Sequence, residues 1–153
     1  MKAFLLAAGQ GKRLLPLTES KPKSLLEVKG KPLILWNIEK LRDAGIDQLV
    51  INLFYEGKQI KDFLGNGSKF GTEIDYSFEQ ELLGTGGGIG KALNKIGEEP
   101  FILISSDIWT DFNFLSLSLA HEALAHLVLI ENPSSNSKGD MFLQAGIVKP
   151  QGP

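Results

Sequence analysis

The chain has no cysteine, only two histidines and no long run of like charge. Without thiols, disulfides, thiolate nucleophiles and thiolate metal sites are excluded. His121 and His126 have no cysteine pair to complete a zinc site with them, so both read as structural. A net charge of −2 leaves no basic footprint for nucleic acid and no polyelectrolyte tail. No stretch approaches the length of a transmembrane helix. Met1-Lys2 followed by Ala3 to Ala8 mimics the start of a secretory signal, but that apolar run is short and leads directly into Lys12 and Arg13. A soluble, cytoplasmic protein with small-molecule partners, no nucleic acid and no membrane is therefore expected. At 153 residues, 42% hydrophobic and 22% charged, residues 1–153 fit one domain with a sizeable core. Trp36 and the phenylalanines read mostly as core.

What is present is alternation. Phe4 to Ala8 reads as a buried strand ending in a glycine turn. Pro32, then Ile34, Ile38 and Leu41 at helical spacing, then Asp43-Ala44-Gly45 as a stop, predict a helix over 32–44. A strand is expected at 49–53, a helix carrying Ile60, Phe63 and Leu64 and closed by Gly65 to Ser68, and a half-exposed strand with Ile74, Tyr76 and Phe78. Gly84 to Gly88 opens a third helix, with Ile89, Ala92, Leu93 and Ile96 on one face and Gly97 at its end. Phe101 to Ile104 is an apolar run of the kind a central parallel strand shows. Further elements are expected as a helix at 113–124, a strand at 126–130 and one more strand at 141–148, stopping at residues 150–153. The fold class is α/β: a Rossmann-like, open, mostly parallel sheet with helices on both faces. In such sheets ligands bind beyond the carboxyl ends of the strands. The loops after Ala8, Phe78 and Ile104 are thus expected along one crevice.

The first of these loops reads as a phosphate cradle. Glycines at 9 and 11 let backbone N–H groups approach an anion, and Lys12, Arg13 and Lys23 add positive charge for a nucleoside triphosphate. A Walker loop is excluded because Gly-Lys-Ser/Thr is missing after four spacers. A dinucleotide fingerprint is excluded because Leu14 stands where its third glycine belongs. Asp107, just past a buried strand, is placed to hold Mg²⁺ with oxygen ligands. Asp111 reads as a cap for a following helix or as an orienting neighbour. Gly84 and Thr85 permit close approach of a base or ribose, and Glu79 and Glu81 could accept its donors.

The string from Leu6 to Thr18 followed by Lys21-Pro22-Lys23 resembles the signature of the sugar-1-phosphate nucleotidyltransferases. The segments Glu81 to Ile89, Asp107 to Asp111, Ala125 to Pro133 and Gly139-Asp140 extend the resemblance over essentially the whole chain. They point to the branch that acts on N-acetylmuramate 1-phosphate in peptidoglycan recycling. The resemblance implies attack of a sugar phosphate oxygen on the α-phosphorus of UTP, giving a UDP-sugar and pyrophosphate with Mg²⁺ as cofactor. It implies Arg13 and Lys23 as catalytic cations, and Ala8, Gly9, Gly11, Lys12, Arg13, Lys23, Glu79, Gly84 and Thr85 as nucleotide contacts. Ser105 and Asp140 would meet the sugar, and Asp107 the metal. Mannose-1-phosphate guanylyltransferases and glucose-1-phosphate thymidylyltransferases share the first loop and are the competing enzyme readings. A nucleotide-binding module without turnover is the non-catalytic one.

Two departures bear on these expectations. The family commonly has Asn-Gly where this chain has Ser105-Ser106, which puts sugar preference in question. Family members also continue past this point to a second metal-binding aspartate, so the chain is expected to be an N-terminal portion.

Overall fold

A computed structural model describes residues 1–150. The chain divides into two units, Met1–Leu115 and Ser116–Pro153. In the first, strand β1 (Ala3–Leu6) is followed by the loop to a short antiparallel pair, β2 (Glu27–Val28) and β3 (Lys31–Pro32). Helix α1 (Leu33–Asp43), strand β4 (Gln48–Leu53), helix α2 (Gly57–Leu64), strand β5 (Glu73–Phe78), helix α3 (Gly84–Ile96) and strand β6 (Ile102–Ser105) come next. The main sheet has the order β5-β4-β1-β6, and every neighbouring pair is parallel. Parallel strands need crossovers, and the three helices supply them.

Both faces of this sheet are covered, which explains why β4 is apolar on both sides of its pleat. Phe4 and Val50 pack with Ala92 and Ile96 of α3, flanked by Leu6, Ile89 and Phe101. Residues of opposite parity, Leu5, Leu49, Ile51 and Leu53, point to the other face and are fully buried. There α2 arrives at Gly57, where an added Cβ would lie 2.8 Å from the Cβ of Leu53. Ile34, Ile38, Leu41, Ile60 and Leu64 are equally buried on their helices. Burying a Leu or Ile side chain is worth about 1.5–3 kcal/mol, so this layer supplies much of the unit's driving force.

The α3 end nearest the strand starts is tied down by Lys95. Its Nζ donates to both oxygens of Asp75, at 3.0 and 2.9 Å, and its carbonyl accepts from Lys2. The bond from Lys95 holds the Asp75 carboxyl below its ordinary value.

Several expectations are corrected. The strand at 102–105 lies at an edge of the sheet among the described residues, so Leu103 is 43% exposed. The central strands are β1 and β4. Leu93 is exposed rather than on the packed face of α3. Of the aromatic residues read as core, only Phe4 and Phe114 are buried. Trp36 is partly exposed, donating from Nε1 to the Val28 carbonyl at 3.1 Å beneath the Lys31 ammonium.

No helix forms over 113–124; a single 3-10 turn at Phe114–Ser116 stands there. Asn113 Oδ1, rather than Asp111, accepts the Leu115 amide at 3.1 Å. In the second unit, 126–130 forms no strand. Leu124, Leu127 and Ile130 are exposed, so the apolar periodicity there has no buried face to stabilise an element. His126 is held by a 2.6 Å bond between Nδ1 and the Ser118 carbonyl. The expected strand at 141–148 is instead a hairpin of β7 (Met141–Gln144) and β8 (Ile147–Pro150). Ala145 and Gly146 adopt φ of 50° and 78°, the left-handed pair a two-residue hairpin turn requires. The expected stop reaches past the described residues at 151–153. No helix of the described residues is long and apolar enough to cross a membrane.

The sheet assignment predicts unequal costs for two aliphatic truncations. Ile51→Ala in buried β4 is expected to cost about 2–5 kcal/mol. Leu103→Ala on the exposed side of β6 is expected to cost under about 1 kcal/mol. Urea unfolding of both variants measures the difference, and equal costs would contradict the edge position of β6.

Candidate functional site

The parallel register brings Leu6, Asn52 and Ser105 side by side at the carboxyl end of the sheet. Beyond them opens a cleft of about 310 Å³. Its walls are residues 6–9 and 11–14 of the first loop, Lys23 and Ser24, Asn52, Gly84 and Thr85 at the start of α3, and Ser105 to Asp107. The loops after β1, β5 and β6 therefore share one crevice, as the alternation of elements implies.

The first loop is shaped by a close approach. Gly11 has φ of 65°, and a Cβ there would stand 2.9 Å from Cγ2 of Thr18. Thr18 is buried and donates from Oγ1 to the Gly11 carbonyl at 2.9 Å, while the Leu14 amide reaches the same carbonyl at 2.8 Å. A side chain at position 11 would push these apart, which accounts for glycine there. The far limb is held by the segment before α2 and by its first turn. Tyr55 Oη lies 3.0 Å from the Thr18 carbonyl and 2.7 Å from that of Glu19, and Gln59 Nε2 donates to the Ser20 carbonyl at 2.8 Å. Lys12 and Arg13 are exposed on the short turn that follows Gly11.

Opposite this loop, Lys23 Nζ meets Asp107 Oδ2 at 2.7 Å, each side chain about one-third exposed. The segment bearing Asp107 is fastened from two sides. Ser106 Oγ donates to the Leu6 carbonyl at 2.7 Å and lies 2.7 Å from the buried Ser24 Oγ. From α1, the buried Asn37 Nδ2 reaches the carbonyls of Ser105 at 3.4 Å and Ile108 at 2.9 Å. With Lys12, Arg13 and Lys23 against Asp107, the cleft carries three cations to one carboxylate, a field suited to polyanions. The start of α3 adds backbone N–H groups and the positive end of its dipole.

Ala8, Gly9, Gly11, Lys12, Arg13, Lys23, Gly84, Thr85, Ser105 and Asp107 thus come together on one cleft. Glu79 does not line it: its carboxylate is buried behind Asn52 and Leu83. Asp140 belongs to the second unit, where its Oδ1 accepts from Asn136 Nδ2 at 3.0 Å. Asn52, Ser24, Ser106 and Thr18 emerge only from the structure. Asn52 has a readable signal, since an amide inside Leu49-Val50-Ile51-Asn52-Leu53 must find partners if buried.

Among the described residues, no group of three or more His, Cys, Asp or Glu could cage a metal ion. The single carboxylate of the cleft, Asp107, partly exposed and paired with Lys23, is compatible with Mg²⁺, because that ion can take one or two carboxylates and complete its shell with substrate oxygens and water.

Comparison with known proteins agrees with this geometry. The chain is 46% identical over 149 residues to the N-acetylmuramate alpha-1-phosphate uridylyltransferase of Neisseria meningitidis serogroup B, covering 94% of this chain and 64% of that protein. It is 36% identical over 141 residues to the mannose-1-phosphate guanylyltransferase catalytic subunit beta of Drosophila melanogaster, covering 87% of this chain and 38% of that one. The chain thus spans less than two-thirds of the length of these curated relatives. A Bacillus anthracis protein assigned as a glucose-1-phosphate thymidylyltransferase, crystallised with sucrose, superposes with a TM-score of 0.70 at 30% identity. That superposition covers 75% of this chain and 47% of that structure. The family profile described as nucleotidyl transferase matches residues 2–139, which takes in every residue of the cleft. With that match joined to a parallel sheet whose carboxyl ends open on a cationic, glycine-lined cleft, the chain belongs to the nucleotidyl transferase family.

Proposed function

We propose that residues 1–153 belong to one nucleotidyltransferase domain. It takes UTP and N-acetylmuramate 1-phosphate to UDP-N-acetylmuramate and pyrophosphate, in the cytoplasm, as a step of peptidoglycan recycling. The observation that carries this reading is the Lys23 and Asp107 pair, 2.7 Å apart, facing the Gly9 to Arg13 loop across one cleft. The choice of UTP and of the muramate sugar is supported by the 46% identity to the Neisseria protein of that name.

In this reading the triphosphate runs along the first loop. The backbone N–H groups of Ala8, Gly9 and Gly11, with Lys12 and Arg13, hold the phosphates that leave as pyrophosphate. The base and ribose lie against Gly84 and Thr85, with Glu79 behind that wall. Ser105 faces the sugar, and Asp140 is assigned to the sugar from the family resemblance alone. An oxygen of the sugar phosphate attacks the α-phosphorus in line, and the bond from that phosphorus to the bridging oxygen breaks. The attacking oxygen is already anionic, so no general base and no protein nucleophile are required. Catalysis rests on positioning and on cations placed where charge develops. Lys23 contacts the α-phosphate and the sugar phosphate, and Arg13 the leaving group. Asp107 would hold Mg²⁺, which when bound neutralises phosphate charge.

Lys23→Ala is expected to lower pyrophosphate release from UTP and N-acetylmuramate 1-phosphate by about a hundredfold or more, with the melting temperature little changed. Unchanged turnover in a folded variant would remove Lys23 from the reaction. Asp107→Asn is expected to raise the Mg²⁺ concentration needed for half-maximal rate. A Mg²⁺ titration of pyrophosphate release reads this, and an unshifted curve would contradict the metal assignment. In a nucleotide panel, turnover of GTP with mannose 1-phosphate, or of dTTP with glucose 1-phosphate, at comparable efficiency would replace the muramate reading.

A further inference from the structure

Glu79 directly follows β5 and is only 7% exposed, although it does not reach the cleft. A buried carboxylate is costly unless its oxygens are satisfied, and both are. Oε1 accepts from Asn52 Nδ2 at 2.7 Å, and Oε2 accepts the Leu83 amide at 3.1 Å, beside the positive end of α3. Asn52 is 2% exposed, and its Oδ1 accepts the Ala7 amide at 2.7 Å. Ala7 lies just past β1, so this side chain extends the strand pairing by one step into the phosphate loop. The amide has one allowed orientation, oxygen toward the Ala7 N–H and nitrogen toward the carboxylate. The third wall is Gly88 of α3, where a Cβ would stand 2.8 Å from both Asn52 Nδ2 and Glu79 Oε1. Two buried side chains therefore join β1, β4, β5 and the first turns of α3.

We infer that Asn52 and Glu79 are positioning residues, a buried relay that sets the Ala7 amide at the phosphate end of the cleft in register with Leu83-Gly84 at its base end. A nucleotide spanning both ends must find them at a fixed separation, and the relay is the direct side-chain link between the two loops. The inference rests on the nucleotide reading of the cleft.

The test transposes the charge. Asn52→Asp keeps an acceptor for Ala7 but sets a second carboxylate against Glu79. Glu79→Gln cannot accept from both Asn52 and Leu83 through its single oxygen. In the double variant Asn52→Asp/Glu79→Gln, the amide introduced at position 79 donates to the carboxylate introduced at position 52 and accepts from Leu83. That carboxylate in turn accepts from Ala7, so every partner is restored with the charge moved. Binding of UTP with Mg²⁺ is measured by titration calorimetry, beside thermal melts and amide exchange of Ala7 and Leu83 by NMR. Each single variant is expected to weaken UTP binding about tenfold or more, and the double variant to return within about threefold of the parent.

Additive losses in the double variant, as a direct contact between Glu79 and the base would give, overturn the relay. So does a pair of single variants that melt earlier but bind UTP unchanged while folded. If Asn52→Asp does not fold, the folding and affinity of the double variant decide. If the parent chain binds no nucleotide, the nucleotide reading falls, and the relay is judged on exchange alone. Ala7 and Leu83 are then expected to lose protection in Asn52→Asp and regain it in the double variant, and failure to regain it rejects the relay.

Discussion

The constraint on which the site depends is the parallel pairing of β1 with strands on both sides. β1 is four residues long, and its partners are matched to it residue by residue, Leu5 beside Ile51 on one flank and Ile104 on the other. Parallel pairing makes the three strands end together, and the chain leaves each of them at the same edge. Loops distant in sequence then open on one cleft, because each starts from the same edge of the sheet.

Apolar packing sets this register, but polar side chains finish it. A strand slipped by one residue would turn Phe4 and Val50 away from α3 and Leu5 and Ile51 toward it. Where the ladder runs out, Asn52 takes the Ala7 amide and Ser106 takes the Leu6 carbonyl, so the backbone stays paired as it turns into loop. Asn37 does the same for the segment carrying Asp107, holding carbonyls on either side of it from α1. The charged groups of the cleft thus sit on segments whose backbones are fastened by neutral, buried side chains. That arrangement leaves Lys12, Arg13 and Lys23 exposed enough to meet a polyanion.

Much of this is legible in the chain alone, where local rules and packing agree. The helix starting after Pro32 and the glycine-opened helix at 84 fall where capping and periodicity put them. The cleft residues from Ala8 to Lys23 fall where the glycine spacing and cations put them, because their loop starts from the carboxyl end of a buried strand, where the cleft opens. Reading fails where a pattern has no partner. The apolar residues from Leu115 to Ile130 carry the pattern of an element, but such a pattern stabilises one only when a face is buried, and here none is buried and most are exposed. Ala145-Gly146 is hidden inside an apolar run, although two residues of left-handed backbone are enough to reverse a strand.

By itself the sequence determined the alternation of strand and helix, the glycine-rich first loop and the identity of the cations and the aspartate near it, since these follow from spacing and residue chemistry within short windows. Only the tertiary structure decided that β6 takes an edge, that Lys23 pairs with Asp107, and that Glu79 turns inward to Asn52 instead of lining the cleft. Each of those depends on contacts between residues tens of positions apart. Such contacts are chosen by the register of the sheet and by the partners left available to a buried polar atom, neither of which a local window contains.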